Sequence, residues 1–488
     1  MEPDIDLAYS LDFLERLNLL EVDGVPLGKR TIFGKYAVWQ FFQMDILYNQ
    51  FNPFTQRQAE SADSKVAPTP YTRIGIFLPF FALLSFFSIV WWFLSRPKVI
   101  VYSVDKVSSK KRQSDFRLEK IYEFLYTHEI SYGEIFHSLL GRGGWNNFTA
   151  RKRPGIYIEA IDALYNLTRI FKEDPVPEYG SSLMGFTEEE QKIVRTIIPQ
   201  YLKFIERAEF RVRFFEMAFK IVRPKSFWLI DDTRNYNELI LGAQRAGVST
   251  YAFQHGHYTK YHVGFLNVKG ISGEIVRPDR LYVWSEYWKE ELIRLNTYFT
   301  PEELHIGGDP RQEQVVPRGE GEDDGVLSIL YPYEIDGYKQ EVAEHFEHLL
   351  SCPNVHIYFK LRQDIGRELQ FREYDIHRFE GKRFHVVTYT DDIEHLIDIV
   401  AGTYSTFLYH MVEKQIPVIL LKTASDFGEG LLINKLAEEV GKNVSCEEIE
   451  KIAQTSLETL QDRHKRLVSG GKELSETLNQ LAIEIGIL

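Results

Sequence analysis

Residues 226–256, SFWLIDDTRNYNELILGAQRAGVSTYAFQHG, decide the fold. Two apolar runs rich in aromatic and β-branched residues, SFWLIDD at 226–232 and STYAFQHG at 249–256, each close on a polar or glycine-bearing corner. Between them lies a helical stretch that begins near Asn235. Strand, helix and strand in that order make a βαβ unit, which implies a parallel sheet covered by helices. The alternation continues outward in both directions. KVIVYSVD (98–105), RLYVWSE (280–286) and LHIGGDPR (304–311) read as further strands. Residues 116–140 read as one or two amphipathic helices, and 157–171 and 187–222 as helices, the last opening with Thr187 and three glutamates at its positive end.

Residues 315–325, VVPRGEGEDDG, interrupt the pattern with proline, three glycines and four acidic groups, the composition of a domain boundary. A second α/β series follows, with strands at 326–333, 355–362, 384–389, 397–405 and 417–421 and a helical tail at 447–488. The expected fold class is therefore α/β, with two Rossmann-like domains, 96–314 and 326–488, facing a cleft. Ligands of such sheets bind outside the carboxyl ends of the strands, so the strand-closing corners carry the candidate chemistry.

The 488 residues include 57 Lys+Arg and 70 Asp+Glu, a net charge of −13, and 44% are hydrophobic. That balance, without a basic tract, argues against a nucleic-acid partner, because phosphate backbones are bound by clustered cations. The only cysteines, Cys352 and Cys446, offer neither a disulfide framework nor zinc spacing, so free thiols in a reducing compartment are the expectation. There is no P-loop, HExxH, GxSxG or strand-following GxGxxG motif. Asp4 and Asp6 resemble a metal-binding carboxylate pair but follow no strand, so neither a metal nor a cofactor is expected.

Ahead of the α/β series, residues 1–73 read either as an accessory region joined by a polar linker at 55–70 or as an N-terminal arm packed on the main body, and the start has no secretory-signal pattern. Residues 74–95, IGIFLPFFALLSFFSIVWWFLS, are uncharged over 22 positions. A helix of that length is about 33 Å long, enough to cross a bilayer core, and a segment dipping into one leaflet or a buried helix pair fits the composition too. Six Lys/Arg in the following 20 residues, against three in the preceding 20, place the larger C-terminal part at the cytoplasmic face of the inner membrane.

Ser405 and Thr406, at a strand-to-helix corner, are candidates for a phosphate site, with Lys360 and Arg362 closing another strand of the same domain. An ordinary helix cap is the alternative for the two hydroxyl residues. In the first domain, Asp232 with Arg234 ends one strand, and His255 with His257 ends the next. A carboxylate and an imidazole on adjacent strands suit acid, base or nucleophile roles. Glu159, after the basic triplet 151–153, is a further candidate carboxylate.

QHG at 254–256, VWSE at 283–286, GGDPR at 307–311, KLR at 360–362 and the run from Asp391 through YST to IPVILL, ending at Leu421, occur in a recognisable order. Over residues 98–440 the chain resembles the GT-B glycosyltransferases of bacterial capsule and lipopolysaccharide synthesis. In many of them a glutamate on the helix after the Ser/Thr corner holds the nucleotide ribose. Here that place falls on His410, with Glu413 three residues later. The departure speaks against a conventional UDP-sugar donor, and the acidic pair Asp231-Asp232, the QHG corner and Glu159 are more similar to those of retaining Kdo transferases, which use CMP-Kdo. The resemblance implies Asp232 as nucleophile, Glu159 as acid/base partner, a histidine of 255–257 as charge stabiliser, and Arg234 and Arg311 as donor-anion ligands. Lys360, Arg362, Ser405, Thr406 and His410 would hold the nucleotide. The partners implied are a nucleotide-sugar, a glycan or glycolipid acceptor and the inner leaflet of the membrane. The alternatives are a CDP-polyol phosphotransferase of the teichoic-acid type, a sugar-nucleotide epimerase, and an inactive scaffold.

Overall fold

The computed structural model describes residues 7–39, 42–43, 46, 71–104, 116–137, 155–169, 176–230, 237–260, 262, 264–309, 325–334, 338–362, 365–379, 381, 383–390, 393–423 and 427–488. Its core is two parallel sheets. The first contains β1 (Val99–Val104), β2 (Tyr132–His137), β3 (Gly155–Tyr157), β4 (Ser226–Ile230), β5 (Ser249–Phe253), β6 (Arg280–Val283) and β7 (Leu304–Ile306). The second contains β8 (Leu327–Pro332), β9 (Val355–Lys360), β10 (Phe384–Val387), β11 (Ile399–Gly402), β12 (Val418–Leu421) and β13 (Glu438–Val440). In space the strands run β7-β6-β5-β4-β1-β2-β3 and β10-β9-β8-β11-β12-β13. Both contain the doubly wound order 3-2-1-4-5-6, which reverses beside the first strand of each unit and opens a crevice there. Two such units on one chain are the GT-B architecture.

Fourteen helices are described. They are α1 (Leu7–Leu19), α2 (Tyr71–Ser95), α3 (Glu119–Thr127), α4 (Ile158–Thr168), α5 (Glu188–Val222), α6 (Asn237–Arg245), α7 (Glu286–Arg294), α8 (Lys339–Leu349), α9 (Arg367–Glu373), α10 (Thr406–Glu413), α11 (Glu429–Ile433), α12 (Cys446–Ala453), α13 (Leu457–Val468) and α14 (Leu474–Glu484). α5 starts where the sequence places it: Thr187 and Glu190 form a reciprocal capping box that satisfies two otherwise orphaned amides.

Several expectations are corrected. Residues 116–140 are not all helical, because only α3 is and β2 follows it. Tyr132–His137 alternates too weakly to announce a strand, since four of its six residues are buried as it pairs between β1 and β3. The C-terminal helix does not stay with the second unit. After α13 the chain crosses back, and Leu474, Leu478 and Leu481 of α14 join Val99, Val101 and Trp228 in a core cluster against the first sheet. The two cysteines form a disulfide, Cys352–Cys446, with Cα atoms 6.1 Å apart. Their separation of 94 residues hid the pairing, which arises because α8 and the start of α12 flank the same sheet.

Residues 74–95 are part of α2, and they are not detached from the main body. Ser88 Oγ donates to the Gly155 carbonyl at 2.9 Å, the Tyr157 amide donates to Ser85 Oγ at 3.0 Å, and Trp92 is buried. This seam attaches α2 to edge strand β3. Among the described residues no helix is long and apolar enough to cross a membrane. The opposite face carries Leu83, Phe86, Phe87, Val90, Trp91, Phe93 and Leu94, all exposed. The N-terminal arm also packs on the body: Phe13, Leu17 and Trp39 share a core with Ile197 and Tyr201 of α5, and Arg16 binds Glu190 at 2.5 Å.

Candidate functional site

Two strand-end corners meet between the sheets. After β5, Gln254 is buried and acts as a brace: its Oε1 accepts from the Trp284 amide at 2.9 Å, and its Nε2 donates to the Gly256 carbonyl at 2.8 Å. That turns the following residues toward the second unit. The His257 amide donates to Thr406 Oγ1 at 3.4 Å, and His257 Nδ1 lies 2.7 Å from the same oxygen, a hydrogen bond whose direction follows the imidazole tautomer. The ring stacks on Tyr409, with centroids 5.7 Å apart, and approaches Tyr404. Burial pushes its pKa down to about 3, helped by the neighbouring His262 and His255, so the imidazole is neutral at physiological pH. Lys260 pairs with Glu429 at 2.9 Å across the same seam.

Ser405 and Thr406 divide the two roles considered for them. Ser405 is the N-cap of α10, its Oγ accepting from the Phe407 amide at 3.2 Å, while Thr406 faces the other unit. The amides before them are already occupied. Glu334, buried just after β8, accepts from the Thr403, Tyr404 and Ser405 amides at 2.8, 3.0 and 2.8 Å, and from the Thr403 hydroxyl at 2.5 Å. Burial pushes its carboxyl up, against the pull of those donors. This crevice, between β8 and β11, is the point where the strand order of the second sheet reverses. Sequence reasoning missed Glu334, although an acid directly after a strand was the available signal.

Lys360 ends β9 with its ammonium 5.1 Å from the Phe407 ring centroid, beside the start of α10. Arg362 is held by its backbone, its amide donating to Gln370 Oε1 at 2.8 Å. His410, one turn beyond Thr406, lies 3.2 Å from Glu413 and 3.7 Å from Asp309, which follows β7 of the first unit. The three side chains offer ligand atoms within 4.8 Å of one another, a donor set compatible with a divalent cation. Asp309 sat inside the GGDPR motif without being singled out.

Glu159 opens α4 and lies 3.5 Å from His137, which ends β2. The two share the carboxyl edge of the first sheet, and His137 was not foreseen. Asp232, Arg234 and Arg311, like Asp4 and Asp6, lie outside the described residues.

The fold and the seam of strand ends define a two-unit α/β protein of the GT-B kind. No family model matches the sequence, and no curated protein matches it. Solved structures do. The glycotransferase of kitacinnamycin aligns over 80% of this chain and 99% of its own, at 12% identity and a TM-score of 0.48. UDP-GlcNAc 2-epimerase from Methanocaldococcus jannaschii aligns over 79% and 99%, at 11% identity and 0.45. MurG from Acinetobacter baumannii aligns over 80% and 100%, at 10% identity and 0.45.

Proposed function

We propose that the protein is a nucleotide-sugar-dependent glycosyltransferase whose reaction takes place where the first unit's β5 corner meets the start of α10. The supporting observation is the His257–Thr406 contact, which joins the carboxyl edges of two Rossmann-order sheets. In this reading Lys360 and the start of α10 receive the donor phosphate, since Glu334 already fills the amides of the preceding turn. Neutral His257, taken in the tautomer that accepts from Thr406 at Nδ1, donates a hydrogen bond through Nε2–H to the leaving group and stays neutral in doing so. Asp232 attacks the anomeric carbon, displacing the nucleotide phosphate, and a second displacement by the acceptor oxygen restores the configuration. Glu159 takes the acceptor proton. The donor proposed is CMP-Kdo or a related ulosonic acid. The acceptor is a lipid-linked surface glycan at the cytoplasmic face of the inner membrane, where the exposed apolar face of α2 would rest.

Thermal unfolding with CMP, CDP, UDP and GDP at matched concentrations tests the donor. A ligand bound only to the folded state adds about 2.7 kcal/mol at a hundredfold excess over its Kd. Stabilisation by CMP alone supports the reading, and stabilisation by UDP or GDP overturns the Kdo assignment. Full transferase activity in Asp232→Asn removes the proposed nucleophile.

A second reading, a sugar-nucleotide epimerase, is favoured by the Asp309, His410 and Glu413 cluster, which sets two carboxylates beside the same imidazole nitrogen, Nδ1, one turn from Thr406. Conversion of a free nucleotide-sugar to its isomer without an acceptor would identify it.

A further inference from the structure

Away from the seam, a cavity of about 250 Å³ lies between the outer strands β6 and β7, helix α7 and the returning helix α14. Its walls include Arg280, Lys289, His305, Lys472, Thr477 and Glu484. Glu484 is engaged by Arg280, at 2.5 Å and 2.8 Å. Lys289 and Lys472 have no ion-pair partner among the described residues. Among the lining residues three cations face one carboxylate, and with the nearby Glu302, which feels Lys289, the balance is still positive in a protein whose net charge is −13. Thr477 is 5% exposed, and its hydroxyl has no hydrogen-bond partner. A buried hydroxyl left unpaired costs about 1–3 kcal/mol unless something binds it. The cavity falls below the roughly 300–1,000 Å³ of drug-sized ligand sites, which suits a small anion better than a whole nucleotide-sugar.

We propose that this cavity is a second anion site, separate from the seam between the units, which binds a small phosphorylated metabolite through Lys289, Lys472 and the Thr477 hydroxyl. The paired Arg280 and Glu484 form its fixed wall. The phosphate oxygens accept from both ammonium groups, charge-assisted bonds of the stronger kind, and from Thr477 once a change of rotamer turns its buried hydroxyl into the cavity. The carbon portion lies toward Leu304 and Ile306. The site is assembled only when the chain crosses back: the Gly308 turn, at φ +83°, lies so close to the Lys472 carbonyl that a Cβ there would sit 2.1 Å from it. The cavity's floor strand and its lysine-bearing wall are therefore held in one register.

The test is calorimetric titration of the full chain with inorganic pyrophosphate at constant ionic strength. The Lys360→Ala protein binds, and adding Lys289→Ala/Lys472→Ala weakens binding about tenfold or more, equivalent to ~1.4 kcal/mol. Thr477→Val weakens binding too, while the ligand-free protein unfolds at the same or a higher temperature, because the substitution removes an unpaired polar group. A merely structural threonine would give the opposite stability change. Each titration is made in a Lys360→Ala background, which removes phosphate binding at the seam and leaves the cavity as the remaining site. Absence of binding in Lys360→Ala overturns the proposal, as does binding retained when Lys289→Ala/Lys472→Ala is added to it.

Discussion

One carboxylate oxygen of Glu334 holds Thr403 twice, accepting from its amide at 2.8 Å and from its hydroxyl at 2.5 Å. The other oxygen takes the amides of Tyr404 and Ser405. An internal carboxylate thus occupies the crevice in which a doubly wound sheet ordinarily seats a ligand anion. The arrangement leaves no slack, since a Cβ on Gly402 would lie 2.9 Å from the Glu334 carboxylate.

Glu334→Ala strands three amides and a hydroxyl. Buried polar groups without partners cost about 1–3 kcal/mol each, and water entering the vacated space recovers part of that, so a net loss of about 2–4 kcal/mol is expected. Denaturant unfolding should show a lower midpoint with an unchanged m-value. Because the exposed amides form an anion-binding turn, sulfate should raise the melting temperature of this variant more than that of the wild type. Equal sulfate responses would show that Glu334 does not occupy an anion site.

His257 gives a pH dependence of defined sign. Burial depresses its folded pKa to about 3, from the ordinary 6.5. The stability gained from holding it neutral is complete above the unfolded pKa and is lost as pH falls from about 6.5 toward 3. By pH 5 the loss is about 2 kcal/mol. His257→Gln should flatten the acid limb by that amount and leave the two proteins' pH profiles parallel above pH 7. Parallel profiles across the whole range would contradict a buried neutral imidazole.

The fold was legible because local patterns agreed with the global one. Apolar runs such as 226–230, closing on polar corners and separated by helical spacing, allow few arrangements besides a wound parallel sheet. Thr187 with Glu190 marked a helix start for a local reason, and His257 and Thr406 could be picked out as residues of strand-closing corners. What stayed hidden depends on contacts between residues distant in sequence. The pairing of β2 with its two neighbours, the return of α14 to the first sheet, and the meeting of Asp309 with His410 leave no periodic trace. Glu334 is the instructive omission. A lone acid after YPY looks like any turn residue until the strand order places it opposite three amides.

The Cys352–Cys446 bond closes a loop of 94 residues within the second unit. Chain-entropy arguments give about 4–5 kcal/mol for a loop of this size, and measured losses for native bridges run about 2–5 kcal/mol. Reduction, or Cys446→Ser, should therefore lower the denaturation midpoint of the second unit by an amount corresponding to about 2–4 kcal/mol. Thiol titration of the unreduced, denatured protein should find no free sulfhydryl. Two free thiols would return the pair to the state expected of a reducing compartment.

The two faces of α2 should respond oppositely to substitution. Ser88 is fully buried, and its hydroxyl bonds both the Leu84 and Gly155 carbonyls. Ser88→Leu removes those bonds and overpacks the contact with β3, costing about 1–3 kcal/mol. On the other face, Phe87 and Trp91 are 56% and 57% exposed, so Phe87→Glu/Trp91→Glu should leave thermal stability almost unchanged. If that face rests on a membrane, the same double substitution should abolish sedimentation with vesicles containing anionic lipid, because a charged side chain at the acyl boundary opposes insertion. Retained sedimentation would assign lipid binding to another surface. Loss of stability in the double variant would instead show that the face packs against protein.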